Sequence, residues 1–187
     1  MTFIKNYYYH IYNRGCNKDQ IFFNEGNYHY LLGKMKSTFM DYGVNIIAYC
    51  LMPNHYHFLI QQLTDMPIST WLHKLFVGYT QAINKQQKRS GTLFEGRSKH
   101  ILIDNDDYLI YLMWYIHYNP VGAGLVSKHS DWPFSNYLDC VGKRNGTMVD
   151  KDLIRQRFGS MTEYEKFMES YQIDRLIEEK VGKYLFD

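Results

Sequence analysis

The stretch YCLMPNHYHFLI, residues 49–60, is almost wholly apolar and aromatic, yet it holds two histidines one residue apart. Pro53-Asn54 interrupts it with a turn signal, so VNIIAYCLM before the turn and HYHFLI after it are expected to form an antiparallel hairpin. Successive side chains of a strand point to opposite faces. His55 and His57 therefore project together from one face, and Tyr56, Phe58 and Ile60 from the other. One face reads as core and the other as a site.

Working outward, YYYHIYNRG (residues 7–15) reads as an aromatic-rich strand closed by glycine. Tyr28, Leu31, Leu32, Met35 and Phe39 then fall at helical spacing, with Gly43 as a stop. After the hairpin a second helix repeats that spacing at Leu72, Leu75, Phe76, Tyr79 and Ile83, with Ser69 or Thr70 as expected N-cap. SKHILI (residues 98–103) reads as the last strand. Strand, helix, strand, strand, helix, strand is the split βαβ, ferredoxin-like order of an α+β protein with an antiparallel sheet. Both helices would cover one sheet face and leave the other free for His55 and His57.

A third helix is expected from Asp106 to Asn119, capped by Asp104 or Asn105 and ended by Pro120, which disfavours helical geometry at Asn119. Wound at 100° per residue, Leu109, Leu112, Met113 and Ile116 gather on one side. Tyr108, Tyr111, Tyr115, Tyr118 and Asn119 gather on another. Beyond Asp131-Trp132-Pro133 the pattern weakens to a short helix near residues 151–158 and a longer one near 162–180.

The chain has 187 residues, 45% hydrophobic and 17% aromatic, enough for one well-packed domain and too apolar for a disordered one. The N-terminal residues lack the apolar segment of a signal peptide, and no run is long enough to span a membrane. Three cysteines without close pairing argue for reduced thiols and a cytoplasmic setting. The net charge of +2 is uneven: residues 1–99 carry 11 Lys/Arg and 5 Asp/Glu, residues 100–187 carry 10 and 14. Lys74, Lys85, Lys88, Arg89, Arg97 and Lys99 cluster against the single acid Glu95, which suits either a phosphate-binding surface or a solvated helix face.

Imidazoles at i and i+2 on a strand can converge on a divalent ion. On these residues alone, surface or stacking histidines remain open as alternatives. At this point the chain resembles a known family. MPNHYHFLI matches the HUH motif, and YIHYNPV, SDWPFSNY, YHIYNRG and GTLFEGR match flanking segments in order. Over residues 7–137 the chain is similar to the single-tyrosine HUH transposases of insertion-sequence type, and most similar to the REP-associated tyrosine transposases.

That resemblance implies a ferredoxin-like catalytic domain over residues 1–137 with an added catalytic helix, followed by a helical C-terminal extension, 138–187, of unplaced role. It implies cleavage and rejoining of single-stranded DNA at hairpins through a 5′-phosphotyrosine. His55, His57 and Asn119 would hold Mg²⁺ or Mn²⁺, and Tyr115 would be the nucleophile. Arg97, Lys85, Lys88 and Arg89 are candidate DNA contacts, and His10 is a further candidate facing the site. Glu95 departs from the basic character expected beside DNA. The expected partner is single-stranded hairpin DNA, with self-association into a homodimer left open. Two rival readings are a hairpin-binding relative that has lost cleavage and a replication initiator, the latter disfavoured because no helicase or origin-binding domain fits in this length.

Overall fold

The computed structural model describes residues 3–171. Strands β1 (Tyr8–Arg14), β2 (Val44–Met52), β3 (His55–Gln62) and β4 (Lys99–Ile103) alternate with helices α1 (Glu25–Thr38) and α2 (Ile68–Gln86) in the order expected. They form one antiparallel sheet of order β2-β3-β1-β4, the split βαβ arrangement. Met52 pairs with His55 across the two-residue turn, and Tyr12 with His57 on the next strand. That register fixes which side chains share a face.

One face carries Tyr9, Ile11, Tyr49, Leu51, Tyr56, Phe58 and Ile60, which pack with Leu31 and Met35 of α1 and Trp71, Leu75, Phe76 and Tyr79 of α2. Each fully buried aromatic here contributes about 1.5–3 kcal/mol of burial free energy. Asn24 caps α1 by accepting from the backbone N–H of Asn27. The second helix differs from expectation at its start. Pro67, not Ser69 or Thr70, holds the cap position, and no side chain of its own caps the helix. The buried amide oxygen of Gln62 accepts from Ile68 N–H instead, at 3.1 Å, so a strand residue satisfies the orphan donor.

The other face is not open. Helix α3 (Asp106–Gly122) lies across it with α4 (Tyr137–Cys140), α5 (Lys151–Phe158) and α6 (Met161–Ser170) around it. Leu109, Leu112, Met113 and Ile116 share this second core with Ile47, Leu59, Leu153, Ile154, Tyr164 and Met168. The boundary at residue 137 therefore does not separate two cores, because α5 and α6 pack into the same one as α3. The part of the last expected helix beyond residue 171 lies outside the described residues. Asn105 caps α3 through Tyr108 N–H, but Pro120 does not end it. The ring removes one backbone bond near the last turn, and Ala123 N–H donating to the Asn119 carbonyl at 2.9 Å keeps that turn closed.

The segment SDWPFSN covers the outer edge of β2, which would otherwise offer a row of unpaired backbone groups. Leu51 N–H donates to Phe134 O at 3.0 Å, Asn136 N–H to Tyr49 O at 3.3 Å, and Trp132 Nε1–H to Leu51 O at 3.1 Å. Buried Asn136 accepts from Tyr49 N–H at 2.8 Å and donates to the carbonyls of Ile47 and Met148 at 3.0 and 3.1 Å. Its oxygen also meets His117 Nε2 at 2.9 Å, and His117 Nδ1 meets the Tyr164 hydroxyl at 2.8 Å. This network ties the back of α3 to β2 and α6. Asn136→Ala should cost about 3 kcal/mol, because it leaves several buried groups unsatisfied. For a chain of this size that lowers the melting temperature by about 10 °C, and a melt unchanged within about 2 °C would contradict the role assigned to Asn136.

Candidate active site

His55 and His57 stand side by side on β3, with ring centroids 5.1 Å apart, and face α3. His55 is half-buried at the end of the strand, while His57 is fully buried one step further in. The arrangement is a crevice between β3 and α3, not the open sheet face expected.

Helix α3 brings Tyr115 and Asn119, one turn apart, to this crevice. The Tyr115 ring meets the His57 ring edge-to-face, with centroids 5.4 Å apart, and Asn119 Oδ1 lies 3.0 Å from His55 Nε2. Both residues are half-buried and reachable from solvent. The neighbouring tyrosines are engaged otherwise. Tyr111 is almost fully buried, and Tyr118 stacks on Trp114 at 4.5 Å. The buried His117 contact on the far side of α3 sets the rotation that turns Tyr115 and Asn119 toward β3.

His55 Nδ1 lies 2.8 Å from Asn54 Oδ1, in the hairpin turn. Burial lowers the pKa of His55, and the Asn119 bond opposes that in part. Burial holds His57 well below the ordinary imidazole value, with the neighbouring His10 and His55 adding to the effect. The rings are thus neutral, the state in which imidazole ligates a metal. A neutral His55 has one N–H and two amide oxygens facing it. With the proton given to Asn54, the Nε2 lone pair and Asn119 Oδ1 converge on one point. Adjacent ligands of an octahedral ion with bonds of about 2.1 Å stand about 3 Å apart, so this pair fits a divalent cation. Among the described residues no three His, Cys, Asp or Glu side chains converge as a metal site; the further side-chain donor beside His55 is the amide oxygen of Asn119.

The other candidates divide. His10, expected to face DNA, has no exposed surface at all: it lies under the crevice with Nε2 2.9 Å from His57 Nδ1. It touches a site histidine and not the solvent. Arg97 is exposed in the loop before β4, at the sheet end where His55 lies. Lys85 lies in the last turn of α2 and Lys88 and Arg89 follow it, on the sheet face opposite the histidines, so the fold does not bring them into the crevice.

Arg14 emerges as a residue the sequence alone did not single out. It pairs directly with His55 across β1 and β3. Glu95 holds its guanidinium through a two-pronged ion pair, with one contact at 3.1 Å. That pairing also accounts for the unexpected acid in GTLFEGR: Glu95 faces a cation of its own protein. Gly15 closes the same corner, where a Cβ would stand 2.0 Å from the Asp19 carbonyl oxygen, so no other residue fits. The one available signal was YNRG, whose arginine is adjacent to the close-packed glycine.

The sequence pattern of the IS200-like transposases matches residues 3–119, a span that ends on Asn119 and contains every residue of the crevice. The chain belongs to the IS200-like transposase family. Within that class its relatives are the REP-associated tyrosine transposases. It is 30% identical over 112 residues to a Haemophilus influenzae protein named "Putative REP-associated tyrosine transposase", covering 54% of this chain and 64% of that one. The chain thus aligns with somewhat less than two thirds of that relative's length. The solved structure of a REP-associated tyrosine transposase bound to a REP hairpin matches with a TM-score of 0.64 at 23% identity, covering 80% of this chain and 92% of that chain. At that identity the likeness concerns the fold. Among the described residues no helix is long and apolar enough to cross a membrane.

Proposed function

We propose that this protein cleaves and rejoins single-stranded DNA beside hairpins, with Tyr115 as nucleophile and a divalent ion held by His55, His57 and Asn119. The observation that carries this reading is the Tyr115 ring seated against His57, one helical turn from the amide oxygen that meets His55. Two neutral imidazoles and one amide oxygen are a borderline donor set, better suited to Mn²⁺ than to Mg²⁺. Held by His55, His57 and Asn119, such an ion would supply Lewis-acid stabilisation of charge on the phosphate.

Tyr115 Oη forms a bond to phosphorus as the bond from phosphorus to the 3′-oxygen breaks. The phenolic proton leaves through solvent, and the departing oxygen takes one up to become a 3′-hydroxyl. The protein keeps the 5′-phosphate as a phosphotyrosine. A DNA 3′-hydroxyl can reverse the step without ATP, because the ester energy is retained. Arg14, clamped by Glu95 opposite His55, and Arg97 on the adjoining loop would hold phosphates entering the crevice, since guanidinium matches phosphate geometry. Lys85, Lys88 and Arg89 contribute at most a general electrostatic attraction from the other face. Residues 138–171 act as the brace that holds α3 on the sheet, through Tyr164 and the second core.

The test is cleavage of labelled single-stranded DNA bearing a hairpin, compared with perfect duplex of the same sequence, in Mn²⁺ and in Mg²⁺. The expected result is a cut in the single-stranded flank, faster in Mn²⁺, with no cut in duplex. Binding of the hairpin without cleavage in either metal would instead support the non-catalytic reading.

A further inference from the structure

Beneath the residues that line the crevice, two buried histidines on different strands bond to each other. His10 Nε2 and His57 Nδ1 stand 2.9 Å apart, and neither residue has exposed surface. The rings lie within 20° of parallel, and Tyr12 stacks on His10 at 4.8 Å and on His57 at 6.0 Å, which fixes their planes. Of the two rings, His57 belongs to the proposed ligand set and His10 does not.

A bond between two neutral imidazoles needs one N–H and one lone pair. If His10 donates, His57 keeps its own proton on Nε2, and that nitrogen has no lone pair to give a cation. If His57 donates from Nδ1, its Nε2 carries the lone pair. Ring nitrogen Nδ1 of His57 meets His10, so a cation would be met by Nε2. On the His10 side, Nδ1 is buried and has no hydrogen-bond partner among the described residues. No other bond therefore fixes the tautomer of His10, and its proton is placed by whatever His57 requires. Metal-bound histidines in general donate their second N–H to an acceptor that sets tautomer and orientation. A carboxylate or carbonyl usually fills that place; here it is a second imidazole.

We propose that His10 is a positioning residue for metal binding: it accepts the Nδ1–H of His57, so that His57 presents the Nε2 lone pair to the cation shared with His55 and Asn119. This rests on the metal reading above and adds the tautomer partner to it. His10→Phe keeps a planar ring in the same space but removes the acceptor. His10→Gln places an amide oxygen near where Nε2 stands. Calorimetry of the full chain with Mn²⁺ should show affinity lowered about 10–100-fold in His10→Phe, the usual scale of an outer-shell loss. His10→Gln should recover most of that affinity. In the wild-type chain loaded with diamagnetic Zn²⁺, ¹⁵N NMR should find the His57 proton on Nδ1, with a through-bond coupling to His10 Nε2.

Unchanged Mn²⁺ affinity in His10→Phe overturns the proposal while leaving the ligand set standing. A Zn²⁺-loaded wild type with the His57 proton on Nε2 overturns it equally, and this measurement decides the matter should His10→Phe fail to fold. A wild-type chain that binds no Mn²⁺ overturns the metal reading itself, and the role of His10 falls with it.

Discussion

Tyr115→Phe is expected to abolish the covalent protein–DNA adduct while leaving hairpin binding and the melting temperature close to wild type. The change removes one oxygen from a half-buried ring, and the ring contact with His57, 5.4 Å between centroids, survives it. The loss should be complete, because a phenyl ring has no nucleophile to offer. Tyr118→Phe is the matched control: its ring stacks on Trp114 and leans toward His129, away from the crevice. Incubation of each variant with labelled hairpin DNA and Mn²⁺, followed by a denaturing gel, separates them. An adduct that survives in Tyr115→Phe and disappears in Tyr118→Phe would transfer the nucleophile to Tyr118.

His55→Ala and His57→Ala should each weaken Mn²⁺ binding by more than the roughly 10–100-fold that an outer-shell change costs, and both should stop cleavage. The two are not equivalent in stability. His55 is half-buried at a strand end, so its loss should leave the fold intact. His57 is fully buried and bonded to His10, so its replacement opens a cavity and leaves a buried ring without its partner. His55→Ala is therefore the cleaner test of ligation, and calorimetry with Mn²⁺ reads it directly. Wild-type affinity in both variants would remove the metal from this crevice.

Much of the architecture was legible because local patterns agreed with one another. The Pro53-Asn54 turn, the alternation around His55 and His57, and two helices of similar spacing determine the element order, and the sheet follows it. What escaped the sequence reading depends on pairings between distant segments. The aromatic side of α3 reads equally well as a displayed surface or as core, since tyrosine and tryptophan carry a polar tip on an apolar body. Tyr111, Trp114 and His117 are in fact buried, which turns an expected open face into a crevice.

His10 was visible as a strand histidine, but its partner was not. Strand register, which places β1 against β3, cannot be read from either strand alone. The same register brings Arg14 beside His55. Asn136 serves the edge of β2 and the carbonyl of Ile47, 89 residues away, and only the folded chain shows why SDWPFSNY holds an asparagine there. Pro120 misled for a different reason. A proline so near the end of a helix costs one backbone bond, and the closing contact from Ala123 to Asn119 tolerates that.

The most direct test of the catalytic assignment is to identify the residue that carries DNA. Wild-type protein, single-stranded hairpin DNA and Mn²⁺ are incubated, the adduct is isolated under denaturing conditions, and the DNA is digested to its terminal nucleotide. Mass spectrometry of the protease-digested protein then locates the added nucleotide. The expected result is a 5′-phosphonucleotide on Tyr115 alone. A nucleotide on Tyr111 or Tyr118, or a cut substrate with no covalent adduct at all, would contradict it.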